Sequence, residues 1–325
     1  MNEKALQSIS IVIPCYNSSR TIASVVDAIK ATMDNSAAIH SYDVILVNDG
    51  SPDNTMDVIS AIALSNANIK AIDLTRNFGQ HSATIAGFSF CTGDYVVLMD
   101  DDGEHDPSKI FDLIAELERG YDYVCARFVS SKRPLYKKLG SRFNNWMATK
   151  FIGKPKGAVF SSFSVMRRFL ADEIAKTPNP SPYIGGMIVA VTKRLSSVPI
   201  EYAPRIDGQS GYNFKKSVAL WVNGITAFST KPLRYAAYAG LLLAVVGILS
   251  GAVIVIQKLL NPDIVAGYTS MISALLFIGG VLMVIMGLMG EYVSRLYLLA
   301  NAIPQYAIRT VVQMENANPA PAPKE

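Results

Sequence analysis

The sequence predicts an α/β protein in which a domain built on a mostly parallel sheet is followed by a two-helix transmembrane hairpin. Three observations support this prediction. Short apolar strands alternate with amphipathic helical stretches through the first part of the chain, which is typical of a parallel sheet covered on both faces. Polar residues follow directly after three of those strands. Two long uncharged segments lie near the C-terminus.

Five apolar runs are predicted as strands, and three amphipathic stretches between them as helices. The predicted strands are residues 9–14, 44–48, 69–74, 95–99 and 121–126, and the helices are residues 22–33, 55–65 and 108–119. In open parallel sheets, ligands bind beyond the carboxyl ends of the strands. The first strand ends at Pro14, the second at Asn48 and the fourth at Asp100. We therefore expect the polar residues after these strands to form one site.

Two segments in the C-terminal third are long enough to cross a bilayer. Residues 236–256 and 264–290 contain no charged side chain over 21 and 27 positions, whereas about 20 suffice for a helix to span the hydrocarbon core. Lysines and arginines precede the first segment and Arg295 follows the second, while the connecting residues 257–263 hold one lysine and one aspartate. The positive-inside rule then predicts that both ends of the hairpin face the cytoplasm.

These patterns divide the chain into four predicted parts. They are a sheet-bearing domain over residues 1–210, an amphipathic juxtamembrane segment over 211–231, two transmembrane helices within 232–298 (about 233–257 and 264–290), and a cytoplasmic tail over 299–325 with a disordered Pro/Ala-rich end. Residues 123–171 hold eleven lysines and arginines and no acid, which indicates a solvated face or a surface for anionic headgroups or a phosphate. The three scattered cysteines are expected to be buried free thiols.

An acidic stretch directly follows the fourth predicted strand. Residues 97–107, VLMDDDGEHDP, place five acids within seven positions without a lysine or arginine, and such a cluster is repulsive unless a positive group shares the site. Asp100, Asp102 and Glu104 can turn their oxygens toward one point, and Mg²⁺ and Mn²⁺ prefer oxygen ligands. An EF-hand fits poorly because His105 occupies its glycine position. A simple acidic surface loop is the alternative.

The usual glycine-rich motifs for binding a diphosphate are missing from the sequence. No GxGxxG follows the first strand and no GxxxxGK[ST] occurs anywhere, which argues against a dehydrogenase-type dinucleotide fold and a P-loop NTPase. What remains is a site that holds a diphosphate through acids and a metal ion.

Four motifs in this order, IVIPCYN, VNDGSPDNT, LTRNFGQHSATIAGF and TGDYVVLMDDDGEHDP, resemble the family-2 glycosyltransferases. With the two-span C-terminus, residues 8 to about 300 are similar to the bacterial polyprenyl-phosphate glycosyltransferases and their dolichol-phosphate relatives. The resemblance implies a GT-A catalytic domain, a nucleotide-sugar donor (a UDP-sugar by preference) and a polyprenyl phosphate acceptor such as undecaprenyl phosphate. It also implies a multi-pass protein of the inner membrane with a cytoplasmic catalytic domain, homo-oligomers like the tetramers of bacterial relatives, and no nucleic-acid partner.

The same resemblance assigns roles to particular residues. For the nucleotide sugar they are Pro14, Tyr16, Asn17, Asp49, Asp100 and Asp101. For a Mg²⁺ or Mn²⁺ ion they are Asp100, Asp102 and Glu104. For the acceptor phosphate they are Arg127, Lys137, Ser141 and Ser210. The residues expected to act in catalysis are Asp102, Arg127 and Arg205. The implied reaction is a single displacement that inverts the anomeric carbon, in which the metal neutralises the leaving diphosphate.

Several positions depart from the family pattern. Ser18 replaces an acid, Gly211 replaces a lysine, and Ala158 and Ser164 stand where relatives often carry an aspartate and an arginine near the sugar, so the identity of the sugar stays open. His81 is expected to cap a helix that begins at the next residue. His105 is expected to shape the acidic loop, and Asp94 and Asp106 are expected to be turn and cap residues.

Two other functions are compatible with parts of this pattern. One is a processive polysaccharide synthase, although the QxxRW motif and additional spans of that class do not occur in the sequence. The other is a non-catalytic membrane-anchored module that binds nucleotides.

Overall fold

The computed structural model of this 325-residue chain describes residues 7–36, 39–128, 159–180, 182–201, 231–260 and 267–314. The chain divides into two compact units. One comprises Met1–Val218 together with Pro304–Glu325, and the other comprises Ala219–Ile303. The first contains the sheet and the second contains the two long apolar helices.

The described residues form the following elements. The strands are β1 (Gln7–Cys15), β2 (Ile39–Asn48), β3 (Ile69–Leu74), β4 (Tyr95–Leu98), β5 (Tyr123–Phe128), β6 (Ser164–Arg167), β7 (Leu195–Ile200) and β8 (Ile308–Val312). The helices are α1 (Ile22–Asp34), α2 (Thr55–Leu64), α3 (Gln80–Phe88), α4 (Ile110–Leu117), α5 (Arg168–Lys176), α6 (Ile184–Val191), α7 (Lys231–Leu260) and α8 (Tyr268–Ala300), with a 3₁₀ turn at Pro107–Lys109 before α4.

The eight strands form one mostly parallel sheet in the order β7-β5-β6-β4-β1-β2-β3-β8. The neighbours β4, β1, β2 and β3 are parallel, as are β5 and β7. The strand β6 runs antiparallel to both β4 and β5, and β8 runs antiparallel to β3. All five predicted strands and all three predicted helices are confirmed, whereas β6, β7 and β8 had not been predicted.

The helices pack on the sheet through apolar faces that follow the helical period. In α1 the buried residues are Ile22, Val25, Val26, Ile29 and Met33, a spacing that puts them on one face. The central strands are buried on both sides: every residue from Val44 to Val47 is fully buried. Burial on both faces explains why these strands are continuous apolar runs in the sequence.

The last strand lies in a part of the chain to which the sequence analysis assigned no strand. Residues 308–312 form β8, which pairs with β3 at one edge of the sheet. The chain therefore leaves the sheet after β7, passes through α7 and α8, and then returns to the same sheet.

The second unit contains α7 and α8, of 30 and 33 residues. Each holds a segment long and apolar enough to cross a membrane, Lys231–Val253 and Phe277–Ala300, with mean hydropathies of 2.1 and 1.7 and with none of either window buried. The helix α8 continues beyond the predicted end of the second span at 290. In that extension Arg295 forms an ion pair with Glu291 at 2.7 Å.

Candidate active site

A cavity of about 340 Å³ opens at the carboxyl ends of β1, β2 and β4. The residues that line it are Pro14, Cys15, Tyr16, Asp49, Asn77, Gly79, Gln80, Asp100, Asp101 and Asp102. The prediction that the polar ends of these three strands meet is thus confirmed. Among the lining residues that the structure describes there are four carboxylates and no lysine or arginine, so the cavity suits a ligand that brings positive charge.

The loop after β1 is held by the acidic stretch that follows β4. Asp101 Oδ2 accepts a hydrogen bond from the Tyr16 amide at 3.1 Å and another from the Ser18 hydroxyl. Asn17 adopts a left-handed φ of 58°, which asparagine tolerates better than most residues. The Tyr16 side chain is 49% exposed. The loop therefore presents an aromatic ring to the cavity on a fixed backbone.

The turn after β2 organises a second wall of the cavity. The Asp49 carboxylate accepts hydrogen bonds from the amides of Phe78 and Gly79 at 2.7 and 2.9 Å. Burial raises the pKa of Asp49, while these two amides act in the opposite direction. Gly50 has a φ of +61°, and a Cβ on it would lie 2.5 Å from the backbone carbonyl carbon of Arg76. Only glycine fits this close approach of two loops.

Asp100, at the end of β4, is the most constrained acid of the site. Its Oδ1 accepts a hydrogen bond from Gln80 Nε2 at 2.8 Å, and its Oδ2 accepts one from the Ser162 hydroxyl. Burial is the main reason that the pKa of Asp100 is raised to about 6, and the carboxylates of Asp102 and Glu104 act in the same direction. A carboxyl group with a pKa raised this way is a typical feature of functional sites.

The buried ring of His105 holds the backbone of Asp100 in place. Its ring stacks on Phe163 and Phe128, with centroid distances of 4.9 and 5.7 Å, and its Nδ1 accepts a hydrogen bond from the Asp100 amide at 3.0 Å. Burial lowers the pKa of His105 to about 4, so the ring is neutral at pH 7 and carries its proton on Nε2. The prediction that His105 shapes the acidic loop is confirmed by this contact.

The prediction that His81 caps a helix was wrong. His81 lies inside the first turn of α3, which begins at Gln80 with Gly79 in the capping position. Its ring meets Tyr183 edge to face at 5.5 Å, and burial lowers its pKa to about 4. The expected cap at Asp106 is confirmed, because its carboxylate accepts from the Ser108 amide. Asp94 lies at a bend before β4, and its carboxylate accepts from the Ser8 amide on β1, so its contact joins two strands.

Asp102 and Glu104 lie on either side of a tight bend. Asp102 Oδ1 accepts a hydrogen bond from the Glu104 amide at 3.1 Å, and Gly103 between them has a φ of +77°. Within the described residues, no three His, Cys, Asp or Glu side chains converge into a preformed metal cage. Mg²⁺ is usually held by one or two carboxylates, with water and substrate phosphates completing the shell. The residues present fit that kind of shared site.

The remaining predicted residues fall in different places. Arg127 lies near the end of β5, in register with Pro199 of β7, and is exposed. Lys137, Ser141, Arg205 and Ser210 lie outside the described residues, as do most of the basic stretch and the predicted juxtamembrane segment. Gln80 and Ser162, which bind Asp100, were not predicted from the sequence. Gln80 belongs to a quoted motif and could have been found there, whereas Ser162 carries no local signal.

The comparisons with known proteins agree with this architecture. Residues 10–175 match the family described as "Glycosyl transferase family 2", and residues 231–296 match the "GtrB C-terminal hairpin". The chain is 32% identical over 316 residues to an undecaprenyl-phosphate 4-deoxy-4-formamido-L-arabinose transferase of Proteus mirabilis, covering 96% of each chain. It is 31% identical to an uncharacterized glycosyltransferase, YkcC, of Bacillus subtilis, covering 94% of this chain and 95% of that one.

Among solved structures, similar chains include mannosyl-3-phosphoglycerate synthase from Rubrobacter xylanophilus (TM-score 0.52, 17% identity, 71% of this chain and 75% of that one). Another is glucosyl-3-phosphoglycerate synthase from Mycobacterium tuberculosis, in complex with Mn²⁺, UDP-glucose and phosphoglyceric acid (TM-score 0.51, 18% identity, 68% and 78% coverage). At these identities the likeness concerns the fold alone.

The sheet order, the acidic cavity and the family match together define a GT-A glycosyltransferase with a C-terminal apolar hairpin. The chain belongs to glycosyl transferase family 2. It is a membrane-associated enzyme that transfers a glycosyl group.

Proposed function

We propose that this protein transfers a sugar from a nucleotide-sugar donor, a UDP-sugar, to the phosphate of a polyprenyl phosphate, undecaprenyl phosphate. The observation that carries the proposal is the combination, in one chain, of the four-carboxylate cavity with two long helices whose apolar windows are unburied. We assign a soluble donor to the cavity, and a lipid-bound acceptor explains the apolar hairpin. The name of the Proteus relative, with 96% coverage of both chains, supports this acceptor.

The donor nucleotide is assigned to the two parts of the cavity wall formed by the loop after β1 and by the turn after β2. Pro14, Tyr16 and Asn17 on the loop after β1, and Asp49 after β2, would receive the base and the ribose. An exposed aromatic ring such as Tyr16 offers a stacking face for a base. Asp101 would act indirectly by holding the loop after β1 in place, because its Oδ2 accepts a hydrogen bond from the Tyr16 amide.

The donor diphosphate is assigned to the acidic end of β4. Asp102 and Glu104 would hold Mg²⁺ or Mn²⁺ together with the diphosphate, and Asp100 would orient the site through its bonds to Gln80 and Ser162. When bound, the cation supplies charge neutralisation of the leaving nucleoside diphosphate. The similar mycobacterial enzyme was crystallised in complex with Mn²⁺ and UDP-glucose, which supports a divalent cation of this kind.

The acceptor is a phosphate that is already ionised at neutral pH, so its oxygen can attack the anomeric carbon without a strong general base. The new bond from phosphate oxygen to carbon forms as the bond from carbon to the diphosphate breaks, which inverts the anomeric centre. Arg127, Lys137 and Arg205 would offset the charge of the incoming phosphate, with Ser141 and Ser210 as hydrogen-bond donors. The chief contribution of the protein is then to bring two anions together.

The path of the chain supports a cytoplasmic catalytic domain. Because β7 and β8 belong to one sheet, both ends of the hairpin must lie on the side of the membrane where the sheet lies. The positive-inside pattern assigns that side to the cytoplasm, and we propose the inner membrane as the location. A cysteine placed within residues 257–263, between the two predicted spans, should react with an impermeant reagent from outside, and one placed after Val312 should not.

The decisive experiment supplies radiolabelled nucleotide sugars, one at a time, to membranes that contain the protein and undecaprenyl phosphate. We expect one donor to label the lipid with a single sugar in a reaction that a chelator abolishes. An Asp102→Asn protein is the matched control and should leave the lipid unlabelled. Label in a long polymer would indicate a processive synthase, and nucleotide binding without any transfer would indicate a binding module; either result would contradict the proposal.

A further inference from the structure

The segment that follows the apolar hairpin, residues 304–312, is tied to the sheet unit at several points. The amide of Asn179 donates to Gln305 Oε1 at 3.0 Å, and the hydroxyls of Tyr306 and Ser89 lie 2.9 Å apart. From Ile308 onward the segment is the strand β8. We call residues 304–312 the return segment.

The return segment forms two hydrogen bonds with the backbone of Thr75, the residue that follows β3. The Thr75 amide donates to the carbonyl of Ala307 at 2.9 Å. The Thr75 carbonyl accepts from Arg309 Nη2, also at 2.9 Å. Thr75 is the first residue of the loop 75–79, which leads directly into α3. Both polar groups of its backbone are therefore fixed by residues that follow the hairpin.

The loop that begins at Thr75 forms part of the cavity wall. Asn77 and Gly79 line the cavity, and Phe78 and Gly79 donate their amides to Asp49. Gln80 then donates to Asp100. A displacement of Thr75 would therefore be transmitted through this short loop to both Asp49 and Asp100.

A second connection runs through the side chain of Asp73. Arg309 Nη1 lies 3.3 Å from Asp73 Oδ2, and Asp73 Oδ1 accepts a hydrogen bond from Asn48 Nδ2 at 2.7 Å. Asn48 Oδ1 in turn accepts from the Ser51 amide, at 3.1 Å. Asp73 is buried, and its two carboxylate oxygens contact Asn48 and Arg309. Arg309 thus also supports the turn that carries Asp49.

We propose that the return segment is a positioning element for the donor-nucleotide wall of the cavity, and that Arg309 is its principal positioning residue. The hairpin and the donor site are then linked through the covalent chain and β8. The nucleotide part of this inference rests on the proposed function. The alternative is that β8 only covers the edge of β3, in which case loss of Arg309 would affect stability alone.

The test compares full-length Arg309→Ala protein with Arg309→Lys and with Arg119→Ala. Lysine keeps one charged contact to Asp73 but cannot bind the Thr75 carbonyl at the same time. Arg119 makes an exposed ion pair with Glu116 at 3.0 Å on another part of the sheet unit, so its loss is a matched control. The first readout is amide hydrogen exchange of the nucleotide-free proteins, which requires no knowledge of the donor.

In Arg309→Ala we expect the amides of Phe78, Gly79 and Ser51 to exchange about fivefold faster, because the loop and Asp73 lose a charged hydrogen-bond donor. Arg309→Lys should recover part of this protection, and Arg119→Ala should match the unmodified protein. Exchange that is unchanged at these amides, or that rises equally throughout the sheet, would overturn the inference.

The second readout is binding of UDP, GDP and CDP in the presence of Mn²⁺, followed by kinetics with the donor that the enzyme accepts. We expect Arg309→Ala to weaken nucleotide binding and raise the donor KM about fivefold, corresponding to about 1 kcal/mol, with kcat and the acceptor KM unchanged. An unchanged donor KM would contradict the inference. If the unmodified protein bound none of the three nucleotides, the proposed function would fail, while the exchange readout would still decide the role of Arg309.

Discussion

The two ends of the same central strands use carboxylates in opposite ways. At the amino ends, Asp43 and Asp94 join neighbouring strands: Ser10 donates to Asp43 at 2.6 Å, and Ser8 donates to Asp94 at 2.7 Å. At the carboxyl ends, Asp49, Asp100 and Asp101 hold loops through backbone amides and side chains and also line a cavity.

The two ends differ in whether nearby charged groups act to lower or to raise the pKa of an acid. At the amino ends a half-buried acid, Asp43, has two cations near enough, Lys70 and Arg168, to act against the rise in its pKa. At the carboxyl ends the effect has the opposite sign, because neighbouring carboxylates raise the pKa of Asp100. Unfavourable charge that has no compensating cation among the described lining residues is expected where a ligand supplies the compensation.

The largest effect is expected from removing an acid that faces the cavity. Asp102→Asn should reduce sugar transfer about a hundredfold or more, because charge stabilisation of a leaving group typically contributes that much. The same change should leave the protein folded and raise its melting temperature without nucleotide, since it removes a charge that opposes Asp100. Transfer assays and thermal unfolding in detergent measure the two effects.

Asp106→Asn is the matched control for Asp102→Asn. This residue belongs to the same acidic stretch, but it is exposed and its side chain caps the turn before α4. Asparagine can also accept that capping bond, so we expect transfer within about twofold of the unmodified enzyme. Equal losses for both substitutions would show that the whole stretch matters only through its charge, and the comparison of the two strand ends would fail.

The next largest effect is expected from substitutions of Gly50 and Gly93, which lie at opposite ends of the central strands. Gly50→Ala would place a Cβ 2.5 Å from Arg76 at the cavity, and Gly93→Ala would place one 2.6 Å from the Ser10 amide at the amino ends. Both should lose about 1–3 kcal/mol of stability through overpacking. Only Gly50→Ala should also weaken nucleotide binding in the protein that remains folded, as calorimetry would show.

Most of the fold could be predicted from the sequence because the central strands are buried on both faces. Residues 44–47 read as a continuous apolar run for that reason. Residues 69–74 are buried at all positions but Lys70, although Lys70 and Asp73 interrupt their apolar pattern. The strand β8 was not predictable in the same way, since IRTVV at an exposed edge has a mixed burial pattern and follows α8 after a few residues. Its pairing with β3 depends on contacts between positions more than 230 residues apart, which no local pattern reveals.

The candidate site was predictable where a strand end carries its chemistry in consecutive residues. Asp49, Asp100 and Asp102 follow buried strands directly, so their convergence followed from the geometry of a parallel sheet. Ser162 was not predictable, because it reaches Asp100 from 62 positions away. The dual use of Asp101, which lines the cavity but holds the loop after β1, likewise depends on tertiary contacts.

A smaller effect is expected from Asp101→Asn, which tests whether that residue acts through the loop. The amide oxygen of asparagine can accept the same two hydrogen bonds, from Tyr16 and Ser18, but without the charge of a carboxylate, so we expect about fivefold weaker nucleotide binding. The dependence of transfer on Mn²⁺ concentration should stay unchanged, because the residue would not bind the cation. A shift in the Mn²⁺ requirement would instead place Asp101 among the metal ligands.

The smallest effect on activity is expected at the amino ends, where Asp43→Asn should leave transfer unchanged. Burial raises the pKa of Asp43 above its ordinary 3.8, so folding favours its protonated form. The stability that this form provides is fully present below pH 3.8 and is lost as the pH rises through the raised pKa. Asparagine resembles the protonated acid and still accepts from Ser10. Urea unfolding between about pH 4 and 7 should therefore show a flatter pH dependence in the variant. Asp94→Asn, whose carboxyl pKa is lowered chiefly by Ser8, should lose stability at neutral pH instead.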